Sequence, residues 1–594
     1  MTGTFYLARP PGSSLTAHAL SASVGSGKTR AAVRWMTDPA NHARNFLYVA
    51  PTRALGEETT INIRAAIAAL SGPVVRNVHL VNSDTVEGKT RVEALRGINA
   101  VEGAEGQIQI LTTQTFLDVL ASIRKPALWT VILDEAFAPA TFDTFSLGAD
   151  ARGGWDYFRE VFDVDRQQGN RIVPKEGRKA LVADLADGLL NRTGGKFEGL
   201  QKVARAVANP ASRCELVFTP RVSTLLAGEE LPPKKKEAAE SVLEYASYIA
   251  PEYFRGFHEV LFLSALFEQT VLYHLWTRAL GVTFEAHPEF PVEMLRDTHT
   301  EQGRFLAVGH LLHEGDTSSK ENLGRSLLTG EPGERTQGQR VLDHVIRTAA
   351  AHFGEARFLL QTNKATGYEA GRALVPSNAD PIPAYAHGLN RFQGVDNVVA
   401  LCVTNPTPQQ LAWVKERTGM AGAEVTKSFR IHTQYQALGR CSIRRAEQTT
   451  DPKTVLVAGA DDARFLHGLF PGSLWLGQVG NLPSIRSLSA KAGVQKVGKP
   501  EALARLIQEH LDGLPEVESI GSKTLKADLK AGLQSTLGTI QPMVPNMSWP
   551  VSSQTWTNAV SLVCSPGSEW RRERGSLVRV KASDYGFSAH GLDK

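Results

Sequence analysis

The chain has 594 residues, with Lys plus Arg at 65 against 61 for Asp plus Glu, a formal net charge of +4. A hydrophobic fraction of 42% and a charged fraction of 21% exclude a disordered chain, a collagen and a disulfide miniprotein. The balance of charge excludes a general basic coat but not a local basic groove, and the length leaves room for about three to five domains.

Taken in chain order, the predicted strands are Phe46–Ala50, Gln109–Thr112, Thr130–Leu133, Glu259–Leu263, Arg357–Gln361, Val398–Val403 and Thr454–Ala458. Each is a continuous apolar run, as expected of strands covered by helices on both faces. Helical stretches such as Thr29–Thr37 and Ile61–Leu70 lie between them, which predicts an α/β fold with parallel sheets. Two regions break the rhythm. Residues 141–255 hold the polar run Arg192–Gly199 and the basic cluster Pro232–Lys236, and read as a mostly helical insert. From Gly477 onward the pattern predicts a helix at Glu501–His510, a turn at Gly521–Ser522 and a helix at Thr524–Leu533, before a tail rich in Trp and Arg.

The four cysteines, Cys214, Cys402, Cys441 and Cys564, are too scattered for a disulfide framework or a Cys-rich zinc site. The first residues, MTGTFYLARPPGSS, lack the basic-then-apolar pattern of a signal peptide. No run approaches the ~18 apolar residues of a membrane span. A cytoplasmic protein with no membrane partner is expected.

The chemistry opens at Ala22-Ser23-Val24-Gly25-Ser26-Gly27-Lys28-Thr29, a P-loop with Ala22 in place of the first Gly. Gly25 and Gly27 allow backbone N–H groups to turn inward around phosphate oxygens, with Ser26 between them. Lys28 reaches the β- and γ-phosphates, and Thr29 holds Mg²⁺. The partner acids close Val131-Ile132-Leu133-Asp134-Glu135, where three apolar β-formers place two carboxylates at a strand tip. Ligands of open α/β sheets bind there. Asp134 is expected in the Mg²⁺ shell, and Glu135 to orient the attacking water. Mg-dependent NTP hydrolysis follows.

Asp134-Glu135-Ala136-Phe137 resembles the DEAx box of superfamily 2 helicases and translocases. Further segments resemble that superfamily's motifs in order. They are Ala50-Pro51-Thr52-Arg53, Leu111-Thr112-Thr113-Gln114-Thr115, Leu263-Ser264-Ala265-Leu266, Leu360-Gln361-Thr362-Asn363, Gly388–Asp396 and Gln436–Arg440. The resemblance implies two tandem RecA-like P-loop domains with ATP and Mg²⁺ between them. Residues 1–140 plus 256–290 would form the first domain, 141–255 an insert, 291–476 the second, and 477–594 an accessory module, with nucleic-acid binding as one role for it.

Arg440 and Arg444 lie four apart on a predicted helix, hence on one face. One or both would serve as arginine fingers, with Gln436 on the same face near the γ-phosphate. The resemblance places Thr52, Arg53, Thr113, Thr362 and Gly394 along a nucleic-acid track, although each Thr also suits a cap or a turn. Asp396 would couple strand and nucleotide sites, and Ser264 would bond back toward the DEAx box.

There are departures. Phe137 replaces the usual His or Asp and Leu266 the usual Thr, and the second Arg of the last motif is displaced. No Gln precedes Gln107, so the upstream Gln that reads adenine in DEAD-box RNA helicases is absent. The insert resembles the arch of DinG-like helicases. With no cysteine between Lys28 and Asp134, however, no iron–sulfur cluster is expected.

The general appearance is similar to helicases of phages and mobile elements, with a cluster-free DinG-like helicase of a CRISPR system as a close variant. In the tail, Ile520–Leu529 suits the turn and second helix of a helix-turn-helix or winged helix. Trp549, Trp556 and Trp570 interleave with Arg571, Arg572, Arg574, Arg579 and Lys581, a composition that suits stacking on bases and binding of phosphates. The same pattern also suits core tryptophans beside a solvated basic strand.

The expected function is ATP-driven movement along a strand of DNA, single or tailed, with RNA left open and protein partners unknown. The alternatives are an ATP-gated clamp that does not unwind, and a packaging-type motor, which would need a C-terminal nuclease cluster of acids that the sequence lacks.

Overall fold

The computed structural model describes residues 15–579, except 71–75, 87–88, 147–150, 190–197, 218–219, 228–241, 330–335, 365, 373, 387–390, 446–449, 486–498, 513–518, 526, 530–552, 565–569 and 574–575. The basic cluster at 232–236, most of the polar run 192–199, residues 388–390 of the motif around Asp396, Trp549, Arg574 and Lys581 lie outside the described residues. The chain divides into two units, 1–314 with 346–481 and 315–345 with 482–594.

The larger unit begins with β1 (Thr16–Ser21), β2 (Asn45–Ala50), β3 (Val78–Val81), β4 (Ile108–Thr112) and β5 (Trp129–Asp134). After the insert come β11 (Glu259–Ser264) and β12 (Thr283–Glu285). These seven strands form a parallel sheet in the order β12-β1-β11-β5-β2-β4-β3. β2 and β5 are buried at every position, which is why they read as unbroken apolar runs. β1 escapes that pattern because Thr16, His18 and Ser21 interrupt it, and only Ala17 is fully buried along it. The helix predicted from Ile61 starts earlier, at Arg53, and runs to Ala68. Thr52 accepts the Leu55 amide at 3.3 Å as its cap.

The insert is not mostly helical. It contains β6 (Thr141–Ser146), β7 (Phe162–Asp165), β8 (Arg171–Pro174), β9 (Ser212–Leu216) and β10 (Val242–Ile249), paired antiparallel in the order β6-β10-β9-β8-β7. Its helices, among them Ala151–Val161 and Lys179–Ala186, cover a core that includes Phe145, Phe158 and Phe162. Short strands rich in charge, such as Ser-Arg-Cys-Glu-Leu, gave no apolar run to detect.

The second sheet of this unit takes β13 (Leu306–His310), β16 (Phe358–Gln361), β17 (Ala379–Ile382), β18 (Asn397–Ala400), β19 (Lys453–Val457) and β20 (Leu474–Gln478). Their order is β17-β16-β18-β19-β13-β20, again all parallel. These are tandem RecA-like sheets in a mixed α/β fold. The helices Pro408–Thr418 and Gly422–Leu438 connect β18 to β19. Trp413, Val414, Met420 and Val425 on and between them share a hydrophobic cluster with Phe137 and Trp276 of the first domain and Phe254 of the insert. The two domains of this unit therefore meet along an apolar seam.

The smaller unit holds the hairpin β14 (Ser326–Thr329) and β15 (Thr336–Arg340), and the three-stranded sheet β21 (Ser519–Gly521), β22 (Trp570–Glu573) and β23 (Ser576–Arg579). Residues 315–345, which the sequence placed in the second RecA-like domain, fall here. Asp316 explains part of this grouping: it accepts from Ser484 Oγ at 3.0 Å and from the Ile485 amide at 2.6 Å. Gly521 ends a strand rather than opening a turn. Among the described residues, no helix is long and apolar enough to cross a membrane.

Candidate active site

β1, β11 and β5 are neighbours at the centre of the first sheet, so the loops at their C-terminal tips converge. The loop after β1 holds Gly25 at φ 73° and Gly27 at φ 95°, backbone that favours glycine. The helix Lys28–Thr37 follows directly. Lys28 Nζ donates to the carbonyls of Ala22 and Ser23, each at 3.2 Å, while the Ala22 amide donates to Ser264 O at 3.1 Å. Ser26 Oγ is buried without a hydrogen-bond partner among the described residues.

At the tip of β5, Thr29 Oγ1 donates to Asp134 Oδ2 at 2.7 Å. The Tyr48 hydroxyl from β2 donates to the same oxygen. Burial and then Glu135 push the Asp134 carboxyl above its ordinary range. Burial pushes the Lys28 ammonium below its own, against the pull of Glu135 and Asp134. Glu135 holds φ 100°, a conformation that costs a non-glycine residue ~1–3 kcal/mol. Its amide donates to Leu263 O at 2.8 Å, and Ser264 Oγ donates to its Oε2 at 3.1 Å.

The second domain supplies the opposite wall. Gln436 lies near the end of the Gly422–Leu438 helix, but Arg440 and Arg444 do not share a helical face with it as predicted. The helix ends at Leu438, Gly439 turns the chain, and Ser442–Arg444 is a 3-10 turn. The turn nevertheless brings all three residues to one cavity of about 910 Å³, together with Gly25, Lys28, Thr29, Asp134 and Glu135. Arg440 Nη2 donates to Gln436 Oε1 at 3.1 Å. Burial, then Arg444, lowers the Arg440 guanidinium to about 10.

Sequence reasoning missed four residues here. The Tyr435 hydroxyl accepts the Val24 amide at 3.0 Å and contacts His299 Nε2, so the second domain touches the P-loop backbone. His432 Nε2 stands 3.9 Å from Glu135 Oε2. His432, Tyr435 and Gln436 fall at i, i+3 and i+4, a helical face the sequence could have shown. Arg296 donates its amide to Ser26 O at 3.0 Å and its Nη1 to Arg444 O at 3.1 Å. Tyr48 is indistinguishable from core in its strand. Phe137 is buried among Phe254, Phe262 and Trp276, so the polar link from this motif to the second domain leaves from Glu135 instead.

The remaining predicted residues separate. Thr52 caps its helix, and Thr113 Oγ1 donates to Ala50 O at 3.3 Å, joining the tips of β4 and β2. Arg53 is paired with Asp84 at 2.6 Å and Ser83 at 3.0 Å. Thr362 Oγ1 pairs with Thr366 Oγ1 at 3.0 Å. Gly394 lies against Arg445, a cavity residue. Asp396 accepts from Ser442 Oγ, within the turn that carries Arg440 and Arg444. The tail tryptophans Trp556 and Trp570 are buried in the core of the smaller unit, so they do not form a stacking platform.

Residues 12–137 match the family model described as DEAD/DEAH box helicase. No curated protein matches the chain. Similar solved structures include Dbp5 of S. cerevisiae bound to RNA and ADP BeF3, at 10% identity and TM-score 0.32, covering 79% of this chain and 86% of that one. A DEAD box protein from the hyperthermophile Methanococcus jannaschii gives 11% and 0.25, over 78% and 88%. The Escherichia coli DEAH/RHA helicase HrpB gives 12% and 0.29, over 92% and 58%. None of these likenesses supports a phage, mobile-element or DinG-like type. With the P-loop, the β5 acids and the facing arginines in one cavity, residues 12–137 carry a DEAD/DEAH box helicase domain and the chain is an ATP-hydrolysing enzyme.

Proposed function

We propose that the chain is an ATP-dependent helicase or translocase that moves along a single strand of DNA, with Mg-ATP hydrolysed in the cleft between its RecA-like domains. One observation carries the reading: P-loop and strand-tip carboxylates from one domain and Gln436, Arg440 and Arg444 from the other line the same cavity. The donor set suits a magnesium nucleotide. Gly25, Ser26 and Gly27 cradle phosphate, Lys28 neutralises it, and Thr29 with Asp134 would hold the cation. The bound nucleotide supplies the phosphoryl group. Glu135, held by Ser264, orients water. Arg440 and Arg444 stabilise charge at the transferring group, a role worth ~10³–10⁵ in rate in related enzymes. His432 positions Glu135 from the second domain in place of the polar side chain absent at Phe137. Thr52, Thr113 and Thr362, with backbone around them, would contact strand phosphates without reading bases.

A slow ATP-gated clamp is the second reading, favoured by the apolar seam through Trp413 and Val414, which resists large opening. The test is ATPase turnover of the wild type and Lys28→Ala with single-stranded DNA or RNA, beside strand displacement on tailed duplexes. Loss of turnover in Lys28→Ala, stimulation by DNA and displacement with ATP support the motor. Stimulation without displacement supports the clamp. Wild-type turnover in Lys28→Ala refutes both.

A further inference from the structure

The smaller unit has a chain order of its own. The helix Lys499–Asp512 leads into β21, helical residues 522–525 and 527–529 follow, and the helix Ser553–Val563 precedes β22 and β23. The sheet order is β21-β23-β22 with both pairs antiparallel. Thus the first strand pairs with the last, and the last two strands form a hairpin joined by two residues. Leu503, Ile507, Ile520, Val560, Trp570 and Leu577 make one core under this sheet. Among the described residues, a helix, a strand, further helical residues, a helix and a two-stranded wing follow one another in the order of a winged helix.

We infer that this unit binds double-stranded DNA, with the Ser553–Val563 helix in the major groove and the β22–β23 hairpin on the backbone. Two surfaces carry the inference. On the helix, Trp556, Ala559, Val560 and Val563 are buried, while Thr557, Asn558, Ser561 and Leu562 form the exposed face. That face is uncharged. It offers hydroxyl and amide groups to base edges and apolar carbons to thymine methyls, contacts that the major groove of B-form DNA admits. A-form RNA does not admit a helix there. On the hairpin, Arg571 and Arg572 are exposed and Arg579 lies 5.1 Å from the Trp570 ring centroid. Among the described residues of the wing, Arg571, Arg572 and Arg579 stand against one acid, Glu573, a local excess of charge that the overall balance conceals. The Arg571 pairing with Glu573 at 2.6 Å is solvent-exposed on both sides, and such pairs yield readily to a phosphate.

The inference does not rest on motor activity, because binding is read without nucleotide. The test measures anisotropy of a labelled blunt DNA duplex, the matching RNA duplex and a single strand against salt, using the full chain. In the double variant Arg571→Glu with Arg572→Glu, affinity for the DNA duplex falls about tenfold and its salt slope by about two, while single-strand affinity and basal ATPase hold. Ser561→Glu, a surface change on the helix, also lowers duplex affinity and leaves the single strand alone. Unchanged duplex binding in both variants overturns the inference and returns this face to protein contact. Equal loss on duplex and single strand, or equal binding of the RNA duplex, overturns it as well.

Discussion

Gly439→Ala separates closure of the nucleotide cleft from stability of the fold. Gly439 has φ −65° and ψ 1°, which any L residue adopts, so Ala meets no local strain. By restricting the unfolded chain it gains ~0.4–1 kcal/mol. Across the cleft, a Cβ at this position would stand 2.7 Å from Val24 Cβ and 3.0 Å from Val24 Cγ1. Carbon atoms settle at ~3.5–4.0 Å, so the walls must part by about 1 Å. Overpacking of this kind costs ~1–3 kcal/mol, and here it falls only on the closed arrangement. That corresponds to a loss of roughly 5- to 150-fold in kcat/KM for ATP. The assay is steady-state phosphate release beside a thermal melt of the same preparation. Reduced turnover with an unchanged or raised melting temperature is expected. Wild-type turnover would show that Val24 and Gly439 do not meet in the working enzyme. A lowered melting temperature would show that the substitution harms the fold itself.

His432→Ala is expected to lower kcat about tenfold or more, within the range of positioned acid–base groups, with little change in KM for ATP, while His432→Gln recovers part of it. Loss confined to KM, or no recovery by Gln, would refute a positioning role; steady-state kinetics decides. Arg417→Ala leaves Glu215 buried with one fewer cation and should destabilise the docking of the insert by ~3–5 kcal/mol. Hydrogen exchange should then rise at 212–216 and 408–418 and stay unchanged at β2, whereas uniform exchange would refute a local anchor.

What could be read in the sequence follows from which residues are buried on both sides. β2, β5 and the centre of β11 are apolar throughout because helices cover both faces of their sheet, and the residues at their ends then mark the site. β1, β13 and β20 carry His18, Gly309 and Trp475 in half-buried or irregular settings, so their periodicity is weak although β1 delivers the P-loop. The insert misled for another reason: its strands are antiparallel and, β10 apart, short and interrupted by charge. In the cleft, residues announced by a local motif were legible, but Tyr435, His432 and Arg296 act through contacts more than a hundred positions away, and local pattern does not carry such information. For the track candidates, type and motif were legible in the sequence, whereas the local roles of Thr52 as a cap and of Thr362 in its loop were not.

The placement of the insert ties these observations together. It leaves the first domain after Asp134 and Glu135 and returns through the strand that ends at Ser264, so both of its roots are site residues. Its body is fastened to the second domain. Glu215, almost fully buried, accepts from the Tyr248 hydroxyl at 2.7 Å, from Trp413 Nε1 at 3.2 Å and from Arg417 Nη2 at 2.8 Å. Arg417 also reaches Gly169 O at 3.1 Å. A charge buried to this degree stays paired or becomes costly, so the Pro408–Thr418 helix and β9 move together. With that anchor intact, withdrawing Gln436 and Arg440 from the P-loop would load the two chain segments that lead to Glu135 and Ser264. The insert in this sense spans the cleft, fastened to the second domain at Glu215 and rooted in the first beside Glu135 and Ser264.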